Sequence, residues 1–120
     1  MDLEKLRTFC LSLPHATEDI QWQKDLLFRI GNKMFCVANT EPPHEFSFKC
    51  TPEEFAELTE KPGIIPAPYV ARYHWVLVTK DDALRWKEIE RLVRDSYTMV
   101  KDKLPAKIKN SLGAPAKKKK

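Results

Sequence analysis

Four short apolar segments follow one another between residues 19 and 50, and they constrain the fold more than any other feature of the chain. They read DIQWQ, LLFRI, KMFCVA and EFSFKC, and turn-forming residues separate them. Segment 30–33, IGNK, has the composition of a tight hairpin, because Gly and Asn both tolerate positive φ. Segment 39–45 contains two prolines and predicts a longer loop. Aromatic or branched segments joined this way predict an antiparallel sheet.

Helical patterns lie on both sides of these strands. Apolar residues at three- and four-residue spacing predict a first helix over residues 2–12. Thr51-Pro52-Glu53-Glu54 marks the start of a second helix, because Thr51 can cap it and proline suits its first position.

A last strand, YHWVLVT, precedes the third predicted helix. Asp81 or Asp82 is expected to cap this helix of about 20 residues. Its core-facing stripe consists of Trp86, Ile89, Val93, Tyr97, Val100 and Leu104.

These elements predict an α+β, two-layer domain in the order α-β-β-β-β-α-β-α. An antiparallel sheet of about five strands would carry three helices mainly on one face. We expect the domain to span residues 1–105. Residues 106–120, rich in Lys, Ala and Pro, are expected to form a flexible C-terminal tail.

The charge of the chain is unevenly distributed. The net charge is +4, but residues 101–120 hold eight lysines and one acid, so the first hundred residues carry 13 basic and 16 acidic side chains. The basic character therefore comes from the end of the chain. There is no apolar run of about 18 residues and no signal-peptide pattern, so we expect a cytoplasmic protein without membrane contact.

Candidate catalytic or metal-binding groups do not form a recognisable motif. The three histidines are spread along the chain, and no glycine-rich phosphate loop is present. Cys10, Cys36 and Cys50 have apolar neighbours and predict buried, reduced thiols. The paired carboxylates fall at predicted helix starts or in turns. We expect no catalytic residue, no metal site and no cofactor.

The segment PGIIPAPYVARYHWV, residues 62–76, combines closely spaced prolines with basic and aromatic residues. Its three prolines restrict the backbone and lower the entropy lost on folding. The loop either carries the chain passively to the last strand or holds Arg72 and His74 at a surface beside its aromatic residues.

Together with FRIGNKMFCVAN, FKCTPEEFAEL and SYTMVKDKLPAK, this segment resembles the MmcQ/YjbR family of small bacterial proteins over residues 2–107. The resemblance implies a fold like that of type III secretion chaperones, and DNA binding through paired wing-like loops. The wings would be segments 31–33 and 39–45. The implied phosphate contacts are Arg29, Lys33 and Lys49, although Glu41 and Glu45 place negative charge in the second wing.

Two functions follow as hypotheses. The first is non-specific, salt-sensitive DNA binding, in which basic loop residues and the tail contact phosphates. Its candidate residues are Arg29, Lys33, Lys49, Arg72, His74, Lys117, Lys118, Lys119 and Lys120. The alternative is a non-catalytic adaptor that binds a protein or peptide on an exposed sheet or helix surface. The oligomeric state is left open.

Overall fold

The computed structural model describes residues 1–21 and 24–116, and of residues 113–116 the backbone only. Within these residues, four α-helices and six strands follow one another. In order, they are α1 (Leu3–Ser12), β1 (Thr17–Gln21), β2 (Asp25–Ile30), β3 (Lys33–Asn39), β4 (Phe46–Lys49), α2 (Pro52–Leu58), β5 (Ile64–Pro66), β6 (Trp75–Val78), α3 (Trp86–Asp102) and α4 (Ala106–Ala116).

The strands form one antiparallel sheet in the order β1-β2-β3-β4-β6-β5. The predicted α+β class and antiparallel sheet are confirmed, with one strand more than expected. The additional strand is β5, which lies inside the proline-rich segment and pairs with β6. Pro66 is compatible with β5 because the outer side of an edge strand has no partner strand, so no amide hydrogen bond is lost there.

One face of the sheet holds the core. Residues at matching register positions form two buried rows that cross the strands, namely Leu26, Ala38, Phe46, Val78 and Ile64, and Phe28, Cys36, Phe48 and Val76. Apolar side chains from all four helices pack against this core. On the opposite face, Leu27 is buried, but Val37 and Leu77 are only half-buried and Ile65 is 45% exposed. The predicted one-sided packing of the helices is therefore confirmed.

A β-bulge in β3 lets two consecutive residues enter the core. The register shifts so that Phe28 pairs with Cys36 while Arg29 pairs with Met34, which leaves Phe35 as the additional residue. The Phe35 ring packs edge-on against Tyr97 of α3, with ring centroids 5.3 Å apart. Both Phe35 and Cys36 are fully buried.

The Ser96 hydroxyl links α3 to this bulge. It donates a hydrogen bond to the Phe35 carbonyl oxygen at 2.7 Å and accepts one from the backbone N–H of Lys49 at 2.9 Å. Ser96 is fully buried, so both backbone groups are satisfied by a side chain that water does not reach. The bulge, β4 and α3 are thus held in one arrangement.

One of the two predicted helix N-caps is present in the structure. Thr51 caps α2 by accepting a hydrogen bond from the Glu54 backbone N–H, as predicted. The expected Asp81 or Asp82 cap of α3 is wrong, because α3 begins at Trp86 and the Glu88 carboxylate accepts from the Arg85 backbone N–H. No helix in the described part of the chain has the length and apolar character needed to cross a membrane.

Residues 106–116, which were expected to belong to a flexible tail, form the helix α4. The apolar pair Ile108 and Leu112, four residues apart, packs against the core and supplies the reason for the helix. A Cβ atom added at Gly31 would lie 2.7 Å from Leu104 Cδ1 and 3.0 Å from Ile108 Cγ2. The β2–β3 hairpin therefore lies against Leu104 and the first turn of α4. Trp22 and Lys117–Lys120 lie outside the described residues.

Replacing Ser96 by alanine should destabilise the fold. The substitution leaves the buried Phe35 carbonyl and Lys49 N–H without a partner, which costs about 1–3 kcal/mol in the free energy of unfolding. Urea unfolding followed by circular dichroism measures it. Ser12→Ala is the matched control, since the Ser12 hydroxyl bonds the Phe9 carbonyl at an exposed position. Equal stability of the two variants would contradict this role of Ser96.

Candidate nucleic-acid interface

A pocket of about 420 Å³ lies where the ends of several strands meet the C-terminal end of α3. Three lysines, two aromatic rings and four aliphatic side chains line it, and no carboxylate does. These residues are Lys33, Met34, Lys49, Val70, Tyr73, Trp75, Val100, Lys103 and Leu104. A concave apolar surface with a few converging charged groups is the usual form of a ligand site.

The topology brings these side chains together from distant parts of the sequence. Lys33 begins β3, Lys49 ends β4 and Trp75 begins β6, so antiparallel pairing places all three at one end of the sheet. Lys103 follows the last residue of α3, which crosses the core face to the same end. The pocket therefore combines two strand starts, one strand end and a helix end.

Lys49 is the pocket lysine whose side chain is hydrogen-bonded within the described structure. Its Nζ donates a hydrogen bond of 2.7 Å to the Tyr73 carbonyl oxygen, and the Ser96 hydroxyl holds its backbone N–H. Partial burial and, second, repulsion by Lys103 lower the pKa of Lys49 below the ordinary lysine value. Lys103 is thus close enough to disfavour the charge of Lys49, and an anion between the two side chains would relieve that repulsion.

The proline-rich segment forms one wall of the pocket. The backbone N–H of Ala67 bonds the Trp75 carbonyl oxygen and extends the pairing of β5 with β6. A 3₁₀ turn at Ala71–Tyr73 follows, with a bond from the Tyr73 N–H to the Val70 carbonyl. The Arg72 guanidinium lies 4.9 Å from the centre of the Tyr73 ring. The crossing between β5 and β6 therefore holds a cation on an aromatic face at the pocket rim.

The structure brings together Lys33 and Lys49, and it places Arg72 beside them through its contact with Tyr73. Across the described ranges 1–21 and 24–116, none of these three residues forms an ion pair with a carboxylate. Among the predicted residues that the structure describes, these three have a charge available for a ligand.

Arg29 and His74, the other two predicted contacts in this part of the chain, interact with residues outside the pocket. Arg29 pairs with the Asp19 carboxylate at 3.0 Å and donates to the Asn32 carbonyl oxygen. The Gln21 amide and Arg29 together hold the pKa of Asp19 below its ordinary value. The His74 ring packs edge-on against Phe55 of α2, while its backbone carbonyl accepts from the N–H and the Sγ of Cys50. Neither residue lines the pocket.

The two segments implied as wings do not form a pair. Segment 31–33 ends at the first residue of β3 and segment 39–45 starts at its last, so about 20 Å of strand separates them. Glu41 in the second segment forms an ion pair with Lys24. The Gly31 turn lies against Leu104 and Ile108. A grip on a duplex by two neighbouring loops is therefore not the geometry of this fold.

Sequence reasoning missed Lys103 as a site residue and treated Trp75 only as a strand residue. Lys103 stands next to Leu104, the last position of the predicted apolar stripe, so its place at the end of α3 was readable. Its meeting with Lys49 depends on how α3 crosses the sheet, which no local pattern contains.

The described part of the chain contains no group of three or more His, Cys, Asp or Glu residues arranged to hold a metal ion. All three cysteines are buried. Burial raises the pKa of Cys50 to about 11, with a smaller contribution from Glu54. The Cys50 thiol is therefore protonated at neutral pH and a poor nucleophile.

Lys103→Gln should raise the pKa of Lys49 toward the ordinary lysine value, because it removes a neighbouring positive charge. The titration can be followed by NMR at the Cε position of ¹³C-labelled lysines. Lys101→Gln is the control, since Lys101 is not among the causes of the Lys49 shift. A Lys49 that titrates with the exposed lysines in the unmodified protein would contradict this geometry.

Known structures and a known family resemble this chain. A protein of Deinococcus radiodurans, DR2400, with a DUF419 domain, is 29% identical with a TM-score of 0.80, over 94% of this chain and 88% of that one. A Pseudomonas syringae protein, 23% identical over 82% of this chain and 98% of that one, shares the fold with a TM-score of 0.70. No curated protein matches the sequence. The YjbR family profile matches residues 11–99, more than half of the chain. The chain belongs to the YjbR family.

Proposed function

We propose that this protein binds nucleic acid, with DNA as the expected partner, through phosphate contacts at the lysine pocket. The observation that carries the proposal is the convergence of Lys33, Lys49 and Lys103 on one concave surface without a lining carboxylate. Phosphate contacts by lysine supply most of the affinity of non-specific binding and make it salt-dependent.

Two further features support an anionic partner. Lys49 is held by the Tyr73 carbonyl, so little side-chain entropy is lost when a phosphate binds. Partial burial and, second, repulsion by Lys103 lower the pKa of Lys49, and a bound phosphate would favour its charged form. Arg72 at the rim adds a fourth cation, one that can make paired hydrogen bonds to phosphate oxygens.

Substitution of the pocket lysines should weaken DNA binding and lower its salt dependence. Lys33→Gln and Lys103→Gln should each reduce the slope of log affinity against log salt by about 1, because each removes one phosphate contact. Fluorescence anisotropy with labelled DNA between about 50 and 200 mM salt measures the slope.

Two controls separate the pocket from other positive charge. Lys87→Gln changes an exposed lysine at the opposite end of α3 and should leave the slope unchanged. A full-length variant with glutamine at positions 117–120 isolates the contribution of the terminal lysines. If that variant loses all binding while the pocket variants keep it, the pocket is not the DNA site.

A peptide-binding role is the second candidate, and the edge strand β1 favours it. A groove of about 380 Å³ runs beside this strand, with Leu3, Ile20 and Leu26 among its lining residues. Ile20 is 61% exposed, and β1 is paired on one side only. An extended peptide could add to this edge and place an apolar side chain in the groove.

Ile20→Lys should abolish such binding, because it places a charge at the groove and blocks strand addition. Selection from a displayed random-peptide library measures it, and apolar extended peptides should be enriched by the unmodified protein only. Ile65→Lys, on the opposite edge strand, is the control. If peptide binding were retained by Ile20→Lys and lost by Ile65→Lys, the peptide site would not lie at β1.

A further inference from the structure

Tyr69 has an unusual combination of exposure and backbone conformation. Its side chain is 98% exposed, although tyrosine is normally at least partly covered. Its φ is +70°, a region that residues with a Cβ atom rarely adopt. Pro68 precedes it and Val70, which lines the pocket, follows it. Because the ring is exposed, no packing of this side chain offsets the energetic cost of its positive φ.

A second exposed aromatic ring lies four residues along the same crossing. Tyr73 is 49% exposed and lines the lysine pocket, with the Arg72 guanidinium against its ring. Pro66, Pro68 and the 3₁₀ turn restrict the backbone that carries both tyrosines. Tyr73 thus shares the pocket surface with the three lysines, and Tyr69 lies on the same crossing, one residue before the lining residue Val70.

Aromatic rings beside a row of cations are suited to unpaired bases. In a duplex the base faces are stacked on one another, whereas in a single strand they are available for stacking on protein side chains. The β2–β3 turn lies against Leu104 and Ile108, so it is not free to enter the groove of a duplex. Phosphates at the lysines would leave the bases facing the tyrosines.

We infer that the lysine pocket receives single-stranded nucleic acid, and that Tyr69 and Tyr73 stack on its bases. This inference rests on the proposed nucleic-acid binding and adds the strand state and the stacking residues. The positive φ of Tyr69 then has a function, since it directs the ring to the surface where a base can cover it.

The experiment compares one labelled oligonucleotide of mixed sequence, about 16 nucleotides long, as a single strand and as a duplex with its complement. The unmodified protein should bind the single strand at least about tenfold more tightly at equal salt. Tyr69→Gly should weaken single-strand binding about tenfold and leave duplex binding unchanged, while Tyr69→Phe should retain binding.

Tyr69→Gly also separates binding from folding. Glycine adopts positive φ without penalty, so the thermal midpoint of this variant should equal or exceed that of the unmodified protein. Leu11→Ala, at an exposed position on α1, is the control for a general loss of surface area.

The outcomes distinguish this inference from the proposed function. Equal affinity for both strand states, or a Tyr69→Gly variant with unchanged single-strand affinity, would overturn the stacking inference. If the lysine variants still weakened binding in that case, the proposed function would stand. If neither form of the oligonucleotide bound at any salt tested, both would fail.

Discussion

The buried hydroxyl of Ser96 is the interaction on which the candidate site depends. It satisfies the Phe35 carbonyl at the β3 bulge and the Lys49 N–H at the end of β4. The bulge allows Phe35 and Cys36 to be buried in succession, which an unbroken strand with alternating faces would not permit. The same hydroxyl sets the position of the Lys49 backbone, from which the side chain reaches the Tyr73 carbonyl. Core packing and the geometry of the pocket therefore share one polar contact.

Most of the fold was readable from local patterns. Four successive strands, the Thr51 cap and the apolar stripe of α3 each have a short-range signal, and each is present in the structure. β5 was not readable, because two prolines within five residues normally exclude a strand, and only pairing with β6 at the sheet edge makes this one possible. α4 was missed because two apolar residues, Ile108 and Leu112, suffice to dock it once the hairpin offers a surface.

The candidate site was predictable only in part. Lys33, Lys49 and Arg72 were selected from the family resemblance, and the structure places them at or beside one pocket. Arg29 carries the same charge, yet pairing with Asp19 across neighbouring strands uses it within the fold. Lys103 approaches Lys49 only because α3 crosses the sheet at a particular angle. Charge identity is a property of the sequence, whereas availability of that charge is a property of tertiary contacts.

Pro66 gives the two edges of the sheet different capacities for assembly. It lies in β5, a three-residue edge strand, and offers no amide hydrogen to an incoming chain. β1, at the other edge, is five residues long and contains no proline. A second copy can therefore extend the sheet through β1 far more readily than through β5. Association through β1 alone yields a dimer that cannot grow further. Growth into a filament requires two edge strands on every molecule that can pair with another chain.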